Sequence, residues 1–408
     1  MATDFTSNAA TKSAIEAILK EKWVTEEIQR QYARDRVLLA ILEKNSKQVD
    51  GLESVFTMRL SPNNSTGARG EMADLPDAGR QSTKKVRIPL AYFYTVCAFS
   101  GQAIKASNNS ATALAKIIAD EMQNAVEDHK RVENSYLYGD GSGALAQVSA
   151  VDTTNKKITV TLWNGLFSVG RELETSTARD GSTSGGMAPN PIVATDRANM
   201  TITFANAITN AAANDYVFLK GTKGNANMGL LGICDDGGIV STFQTLSRTT
   251  YPQIKAKVFS NSSARNISES LLMDVVARMR EDGSTPDIII GTSFQLKDLC
   301  AEMHQQRRFI DDTGKMDLGV RGIKIGDGID FTFDVDCPPG YAFALNKKNI
   351  IISEAAPLSF MDLDGNVMSR INSKDAYEAT MFHYFNLIAL SCYDQARIEK
   401  LNENRVGD

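Results

Sequence analysis

Cysteine and histidine are scarce in this chain of 408 residues, and their spacing excludes several common chemistries. The five cysteines are odd in number, and the shortest separation between two of them is the 37 residues from Cys300 to Cys337. This spacing rules out a CxxC metal pair and a dense disulfide framework. The three histidines, His129, His304 and His383, form no HExxH or Cys/His motif, and His129 falls on an apolar helical stripe. The sequence therefore predicts no metal site and no cofactor.

Long apolar runs and an excess of one charge are also missing. No stretch approaches 18 uninterrupted apolar residues, and the N-terminus lacks the basic start and apolar run of a signal peptide. The 44 Lys and Arg residues against 49 Asp and Glu residues give a net charge of -5, which is no reason to expect tight nucleic-acid binding. We expect a protein made in a cytoplasm, with reduced thiols and no membrane partner.

Recognised catalytic motifs are absent too. Gly139–Gly143 is glycine-rich, but it closes a helix and lacks the Gly-Lys-Ser/Thr ending of a phosphate loop. Asp362–Gly365 resembles the start of a calcium loop, but its glycine comes two positions early and no glutamate closes it. The sequence favours a protein that is not an enzyme. The enzymatic alternative is a cytosolic hydrolase that uses Asp235, Asp236 and His304.

The residues that are present indicate an ordinary globular chain of two or three domains, with 42% hydrophobic and 23% charged residues. Apolar residues at helical spacing predict one or two amphipathic helices within Ser13–Leu42. The same spacing predicts one long helix from Ser110 to Tyr138, closed by glycine. Between them, Val55–Leu60 and the alternating run Val86–Phe99 predict a large hairpin. Its polar tip, Ser61–Thr83, is long enough to suggest a partner.

The second half of the chain predicts three further regions. Ala150–Thr250 is rich in Thr, Asn, Ala and Gly with short alternating runs, which favours a small β-barrel or sandwich inserted as a unit. Helix Asn266–Asp282, strand Asp287–Ile290 and helix Ser293–Met303 indicate an α/β element. Mostly strands follow, including the long apolar run Ala376–Cys392.

This order of elements resembles the major capsid protein of tailed double-stranded DNA bacteriophages, which has the Hong Kong 97-like fold. The segments that carry the resemblance are Tyr136–Gly143, Gly229–Ile233, Thr285–Ile290, Phe294–Leu299, Asn386–Leu390 and Ala396–Ile398. The resemblance implies an α+β fold with an N-terminal arm, an extended hairpin, a spine helix with a peripheral domain, and an axial domain. About 85 residues between two of these segments look like an inserted β-domain.

The implied domain ranges follow the chain. They are an N-terminal arm (1–51), an extended hairpin (52–107), the spine helix with the first part of the peripheral domain (108–149), an inserted β-domain (150–228), a connection (229–256), an axial domain (257–352) and the C-terminal part of the peripheral domain (353–408).

The implied function is a coat protein that assembles into hexamers and pentamers of an icosahedral shell. The implied partners are a separate scaffolding protein, a portal protein, possible decoration proteins and packaged double-stranded DNA held by non-specific contact. The location would be the virion, after assembly in the host cytoplasm. An encapsulin compartment is the alternative within this fold, although encapsulins normally lack such an insertion. The expected inter-subunit contacts are charged: Arg69, Glu71, Asp74, Asp77, Arg80, Lys84, Lys85, Arg307 and Arg308.

Some relatives in this family join a hairpin lysine to a neighbour's asparagine, with a buried glutamate as the catalyst. Lys84 or Lys85 would supply the amine here, and Asn372 or Asn386 the amide. The nearest carboxylate before Ile388 in sequence is Glu378, ten residues upstream. No carboxylate therefore stands just before Ile388 to take the proton from the lysine. Because free lysine is protonated at neutral pH and cannot attack an amide in that form, we expect a shell without isopeptide bonds.

Overall fold

The computed structural model describes residues 9–10, 36–46, 49–51, 53–63, 65–72, 74, 77–102, 111–182, 185–307, 323–325, 328–362 and 367–403. Side chains are described in these ranges except at 9–10, 111–120 and 303–307. Most of the predicted helical region Ser13–Leu42 lies outside the described residues. Its described part contains the short helix α1 (Val37–Ile41).

Helix α2 (Ala111–Leu137) confirms the long helix predicted from the apolar spacing. Its 27 residues span about 40 Å at 1.5 Å per residue. The helix ends where the N–H of Gly139 donates to the carbonyl of Tyr136 at 3.0 Å, a tight final turn. The chain then leaves through Gly141 and Gly143, whose φ angles of +89° and +85° favour glycine.

One six-stranded sheet packs beside α2, in the order β1-β6-β22-β20-β2 with β21 also on β22. Its strands are β1 (Ala9–Ala10), β2 (Glu43–Asn45), β6 (Ala91–Ser100), β20 (Ile350–Phe360), β21 (Ser369–Arg370) and β22 (Ala376–Ala389). The 14-residue strand β22 pairs antiparallel with both β6 and β20, and therefore forms the centre of the sheet. We call this sheet together with α2 the plate.

The hairpin is present, but one of its strands differs from the prediction. Strands β3 (Val49–Asp50), β4 (Glu53–Ser61) and β5 (Ser82–Pro89) form an antiparallel sheet. The single strand predicted from Val86 to Phe99 is wrong, because the chain crosses into the plate at Leu90. Pro89 cannot donate a ladder hydrogen bond, and prolines occur at such strand ends. The predicted hairpin boundary at 107 therefore lies beyond the end of the hairpin.

A second six-stranded sheet has the order β15-β23-β19-β16-β18-β17. Its strands are β15 (Lys257–Phe259), β16 (Ile288–Gly291), β17 (Ile323–Ile325), β18 (Ile329–Phe333), β19 (Ala342–Leu345) and β23 (Ala396–Ile398). Helices α4 (Glu269–Glu281) and α5 (Ser293–Arg307) accompany it, as predicted. Ser268 caps α4 by accepting from the N–H of Leu271 at 3.2 Å, which satisfies a free donor of the first turn.

Two predicted boundaries near the C-terminus do not follow the sheets. Position 352, the predicted end of the axial domain, falls within β20 of the plate. Strand β23, expected to belong to the peripheral domain, instead pairs with β15 and β19 of the second sheet. The chain passes between the sheets after Ala389, so adjacent segments belong to different layers.

Six strands form a closed barrel in the order β10-β11-β8-β7-β12-β9. They are β7 (Ala146–Asp152), β8 (Lys157–Val160), β9 (Glu172–Ser176), β10 (Asn190–Asp196), β11 (Thr201–Phe204) and β12 (Tyr216–Leu219). Apolar side chains such as Val148, Ile158 and Val217 are fully buried inside. The predicted domain start at position 150 falls within β7, so the barrel begins before it.

The two ends of the barrel segment meet at α2. A side-chain carbon at Gly229 would lie 2.6 Å from the carbonyl oxygen of Leu137, so the returning chain touches the backbone that ends the helix. The N–H of Gly224 also donates to the carbonyl of Ser142 at 2.9 Å. We call residues 139–143 and 226–229 the neck. The barrel therefore leaves and rejoins the rest of the chain at one place.

The remaining described elements are short. They are α3 (Leu230–Ile233), the strands β13 (Thr242–Phe243) and β14 (Leu246–Ser247), and 3-10 turns at Pro252–Ile254 and Lys347–Asn349. The largest apolar core lies where the end of α2 and α3 meet both six-stranded sheets, and it includes Leu137, Leu230, Phe343 and Phe385. Of the helices that the structure describes, none is long and apolar enough to span a bilayer.

Candidate assembly interface

The hairpin tip exposes the charged side chains that the sequence analysis singled out. Exposed residues of the tip and of β5 are Arg69, Glu71, Asp74, Asp77, Arg80, Lys84 and Lys85. The hydrogen bonds described for the tip are local: Ser65 donates to Asn63, and Arg69 donates to the carbonyl of Ala68. Four cationic and three anionic groups thus face outward, and in the described part of the tip no hydrogen bond or ion pair joins them to the body of the chain.

The predicted basic pair on the second sheet is only partly placed. Arg307 is the last residue of α5, at a position where side chains are not described, and Arg308 lies outside the described residues. The described residues therefore do not test whether this pair contacts another part of the chain or a neighbour. Its role in contacts between subunits stays a prediction.

The base of the hairpin, in contrast to the tip, is fixed to the plate. Its inner side chains Val86 and Ile88 are buried in a cluster that includes Ile351 and Ile388 of the plate. The hydroxyls of Ser54 and Ser353 lie 2.7 Å apart and are both buried. The strands of the hairpin are thus packed on the body of the chain, while most described residues of its tip are exposed.

An exposed aromatic face lies on the plate, on strands β6 and β22. Tyr92, Tyr94 and Val96 are 42%, 53% and 53% exposed. Tyr384 lies across from them, with ring centroids 5.0 Å from Tyr92 and 5.9 Å from Tyr94. The hydroxyl of Tyr94 donates to that of Tyr384, which raises the pKa of Tyr94. A cluster of exposed aromatic side chains of this kind is characteristic of an interaction surface.

The sequence analysis identified the alternation of β6 but missed this face. On the opposite side of the strand, Phe93 stacks on Phe385 at 5.3 Å and also approaches Tyr136 of α2. A strand with apolar side chains on both faces is usually covered on both. That two-sided pattern is the signal that would have indicated an apolar outer face on β6.

Asp235 organises a buried charge network instead of a catalytic site. Its carboxylate lies 3.1 Å from Nη1 of Arg248 and 3.2 Å from Nη2 of Arg397, and all three side chains are buried. It also accepts hydrogen bonds from the backbone N–H groups of Gly237, Ile239 and Val240.

Burial alone would raise the pKa of Asp235, but the backbone donors and the two arginines bring it below its usual value. Because every oxygen of this carboxylate is already engaged by charged or backbone donors, Asp235 is poorly suited to act as a base. Asp236 is exposed and binds only the N–H of Gly238 in the described structure. The geometry therefore gives no support to a hydrolase centred on this pair.

The fold matches that of a known shell protein. The capsid asymmetric unit of cyanophage A-1(L) is similar to this chain with a TM-score of 0.61 and 12% identity, over 93% of this chain and 96% of that one. The chain has the fold of a phage capsid protein. The predicted resemblance is therefore confirmed at the level of the fold.

Two further structures align over most of the capsid fold with lower scores. An encapsulin complex from Synechococcus elongatus has a TM-score of 0.48 and 11% identity, covering 96% of this chain and 97% of that chain. The capsid of Myoviridae phage XM1 has a TM-score of 0.47 and 8% identity, covering 92% and 95%. No family model and no curated protein matches the chain.

The asparagine considered for covalent joining has a structural role within this capsid fold. The amide nitrogen of Asn386 donates to the carbonyl of Pro89 at 2.7 Å, and its oxygen accepts from the N–H of Met228 at 2.9 Å. The side chain is buried. Asn386 therefore ties the hairpin, the neck and the plate together, and its amide is not exposed to a lysine from another subunit.

Proposed function

We propose that the chain is the major capsid protein of a tailed double-stranded DNA phage, assembling as hexamers and pentamers of an icosahedral shell around the packaged genome. The observation that carries this proposal is the capsid fold shared with the cyanophage protein over nearly the whole of both chains. The projecting hairpin and the exposed aromatic face support it, because a shell subunit needs surfaces that are completed only by its neighbours.

The hairpin tip of one subunit and the aromatic face of another are the proposed lattice contacts. Strand β4 extends about 30 Å over nine residues, and Met58 and Leu60 near its end are still buried against the body of the subunit, so the residues proposed to reach a neighbour are those of the tip. The tip presents both signs of charge, so it can form complementary pairs with a neighbour. Each contact can be weak, because a closed symmetric shell repeats it many times and weak contacts let misplaced subunits dissociate.

The barrel is the proposed insertion in this fold. The chain enters and leaves the barrel only through the neck. An insertion is tolerated where it leaves and rejoins its parent domain at one place. We propose that it faces the outside of the shell, where a decoration protein would also bind. A separate scaffolding protein, a portal protein and non-specific contact with the packaged DNA complete the proposed partners, in the host cytoplasm during assembly and then in the virion.

Removal of the tip tests this function directly. A deletion of residues 64–79 should leave a soluble subunit with an unchanged cooperative thermal transition, because the tip adds little to any core. The same subunit should form no normal shells in negative-stain electron microscopy. Normal shells from the deletion variant would refute the proposed role of the tip.

Charge reversal provides a matched comparison. Arg80→Glu alters the exposed tip, whereas Lys157→Glu alters an exposed lysine of the barrel. We expect fewer or malformed shells from the first variant and normal shells from the second. Particles from infected cells should also contain nuclease-protected DNA. Particles filled with a cargo protein and no DNA would instead indicate a compartment of the encapsulin kind.

A further inference from the structure

A cluster of two histidines and a glutamate lies buried between α2 and β22. His129 and Glu133 are one helical turn apart, so their side chains share a face of α2. His383 of β22 reaches the same place, and all three residues are at most 3% exposed. Nε2 of His129 lies 3.0 Å from Oε1 of Glu133, which also contacts Nδ1 of His383. One donor atom from each residue lies within 4.8 Å of the others.

The second ring nitrogen of each histidine is held by a different partner. Nδ1 of His129 lies 2.8 Å from the hydroxyl of Thr95, and Nε2 of His383 lies 2.9 Å from Oε1 of Glu354. Histidines that ligate metals almost always have such an outer partner, which fixes the ring and its tautomer. Both imidazoles are therefore oriented toward Glu133 by contacts outside the cluster.

The inner nitrogen of His129 lacks the hydrogen bond that its burial calls for. Among the described residues, Nε2 of His129 has no hydrogen-bond partner, since Glu133 is near it but out of line for a ring N–H bond. A buried polar atom without a partner is costly, and a bound ion is one common explanation. A metal ion would use the lone pair of this nitrogen and remove the cost.

The charges around the cluster also favour a bound cation. Glu133 and Glu354 place two carboxylates on either side of His383, and Lys44, 2.7 Å from Glu354, pairs with the second of them. A divalent ion at the cluster would balance the charge of Glu133. A cavity of about 330 Å³, lined by Glu133, Lys44 and Lys130 among others, adjoins the cluster at Glu133.

We propose that His129, Glu133 and His383 bind one Zn²⁺ ion that links the spine helix to the central strand of the plate. Two imidazoles and one carboxylate are an established zinc donor set with ligand distances of about 2.0–2.2 Å. On binding the ion, Glu133 and His383 would exchange their direct contact for contacts with the ion. Three protein donors leave a position for water on the side of the cavity. The role of the ion is structural, because it joins two elements that are far apart in sequence.

Metal binding by the full-length, unassembled subunit tests the proposal. Protein stripped with a chelator, incubated with Zn²⁺ and passed through a desalting column should retain about one equivalent by elemental analysis. Its thermal midpoint should rise on Zn²⁺ addition, because an ion that binds only the folded state stabilises it. Co²⁺ in place of Zn²⁺ should give the intense visible absorption of a low-coordinate site.

Variants distinguish this site from adventitious binding. His129→Gln and His383→Gln should lose the retained ion and the Co²⁺ absorption, whereas His304→Gln, on α5, should keep both. Glu354→Gln leaves all three donors in place and should weaken the affinity by about tenfold to a hundredfold through the lost outer partner. If a histidine variant fails to fold, the wild-type Co²⁺ spectrum and the Glu354 variant still decide the question. Wild-type protein that retains no ion, or equal retention in every variant, would overturn the proposal.

Discussion

Replacing Asp235 with asparagine tests whether the buried charge network holds the capsid fold together. The substitution keeps the shape of the side chain but removes the negative charge between Arg248 and Arg397, which are 1% and 3% exposed. Breaking a buried ion pair by removing one partner typically costs about 3–5 kcal/mol, because the remaining charge is left uncompensated. Here two guanidinium groups lose the same partner; Arg397 keeps a second one, since its Nη2 lies 2.7 Å from the carboxylate of Glu399, so the main loss is expected at Arg248.

The expected change in the thermal midpoint follows from the size of the chain. An unfolding entropy of about 2.1 cal/mol/K per residue, over 408 residues, gives roughly 0.9 kcal/mol per kelvin. A loss of about 3–5 kcal/mol then lowers the midpoint by about 4–6 °C if the chain unfolds as a unit. Scanning calorimetry of the unassembled subunit measures this shift. Asp236→Asn, at the exposed neighbouring residue, is the matched control and should change the midpoint little.

Acid should reduce the difference between wild type and Asp235→Asn. The folded-state pKa of Asp235 is lowered, so its contribution is complete above the unfolded value of about 3.9 and is lost as the pH falls toward the folded value. The two proteins should therefore differ most near pH 7 and converge below about pH 4. A midpoint unchanged at pH 7, or a difference that grows in acid, would refute the assigned role.

The remaining predictions concern the neck, the covalent state of the shell and the aromatic face. Gly143→Ala should lower the thermal midpoint in calorimetry more than Gly221→Ala does. Both glycines have positive φ, but only a Cβ at position 143 would lie 2.5 Å from the Thr222 carbonyl oxygen. Equal losses would contradict this. Mature particles boiled in detergent should run as a monomer near 44.4 kDa, whereas a ladder that survives reductant would show isopeptide bonds. Tyr94→Ser should leave the subunit folded but reduce the yield of shells measured by sedimentation. The control Val193→Ser, on the barrel, should leave the shell yield unchanged. A normal shell yield from both variants would exclude the aromatic face as a contact.

Elements with strong local signals were predictable from the sequence. Helix α2 has apolar residues at every third or fourth position and a glycine stop, so both its type and its end follow from local rules. Helix α4 has a serine cap and ends before Gly283, whose φ is +79°. In such places the residues that define an element are neighbours in the chain.

The errors occurred where the structure depends on distant pairing. The alternation from Val86 to Phe99 continues across Pro89, so the local pattern does not reveal that the two halves enter different sheets. The histidine cluster was missed for the same reason, because Glu133 and His383 are 250 residues apart in sequence. Only the packing of α2 against the plate brings them together, and no local motif records that contact.

The neck determines how mechanical load passes between the barrel and the plate. Its two segments run side by side at the end of α2, and Arg179 of the barrel segment also pairs with Asp140 of the neck at 2.5 Å. A force that pulls on the barrel is therefore delivered to the C-terminal end of the spine helix, next to the largest core, and not to the hairpin tip. The barrel also touches the last turns of α2 before the neck, since Tyr136 lies in the barrel's core and the side chain of Arg131 donates to the carbonyl of Gly165, so the load is spread along the end of the helix.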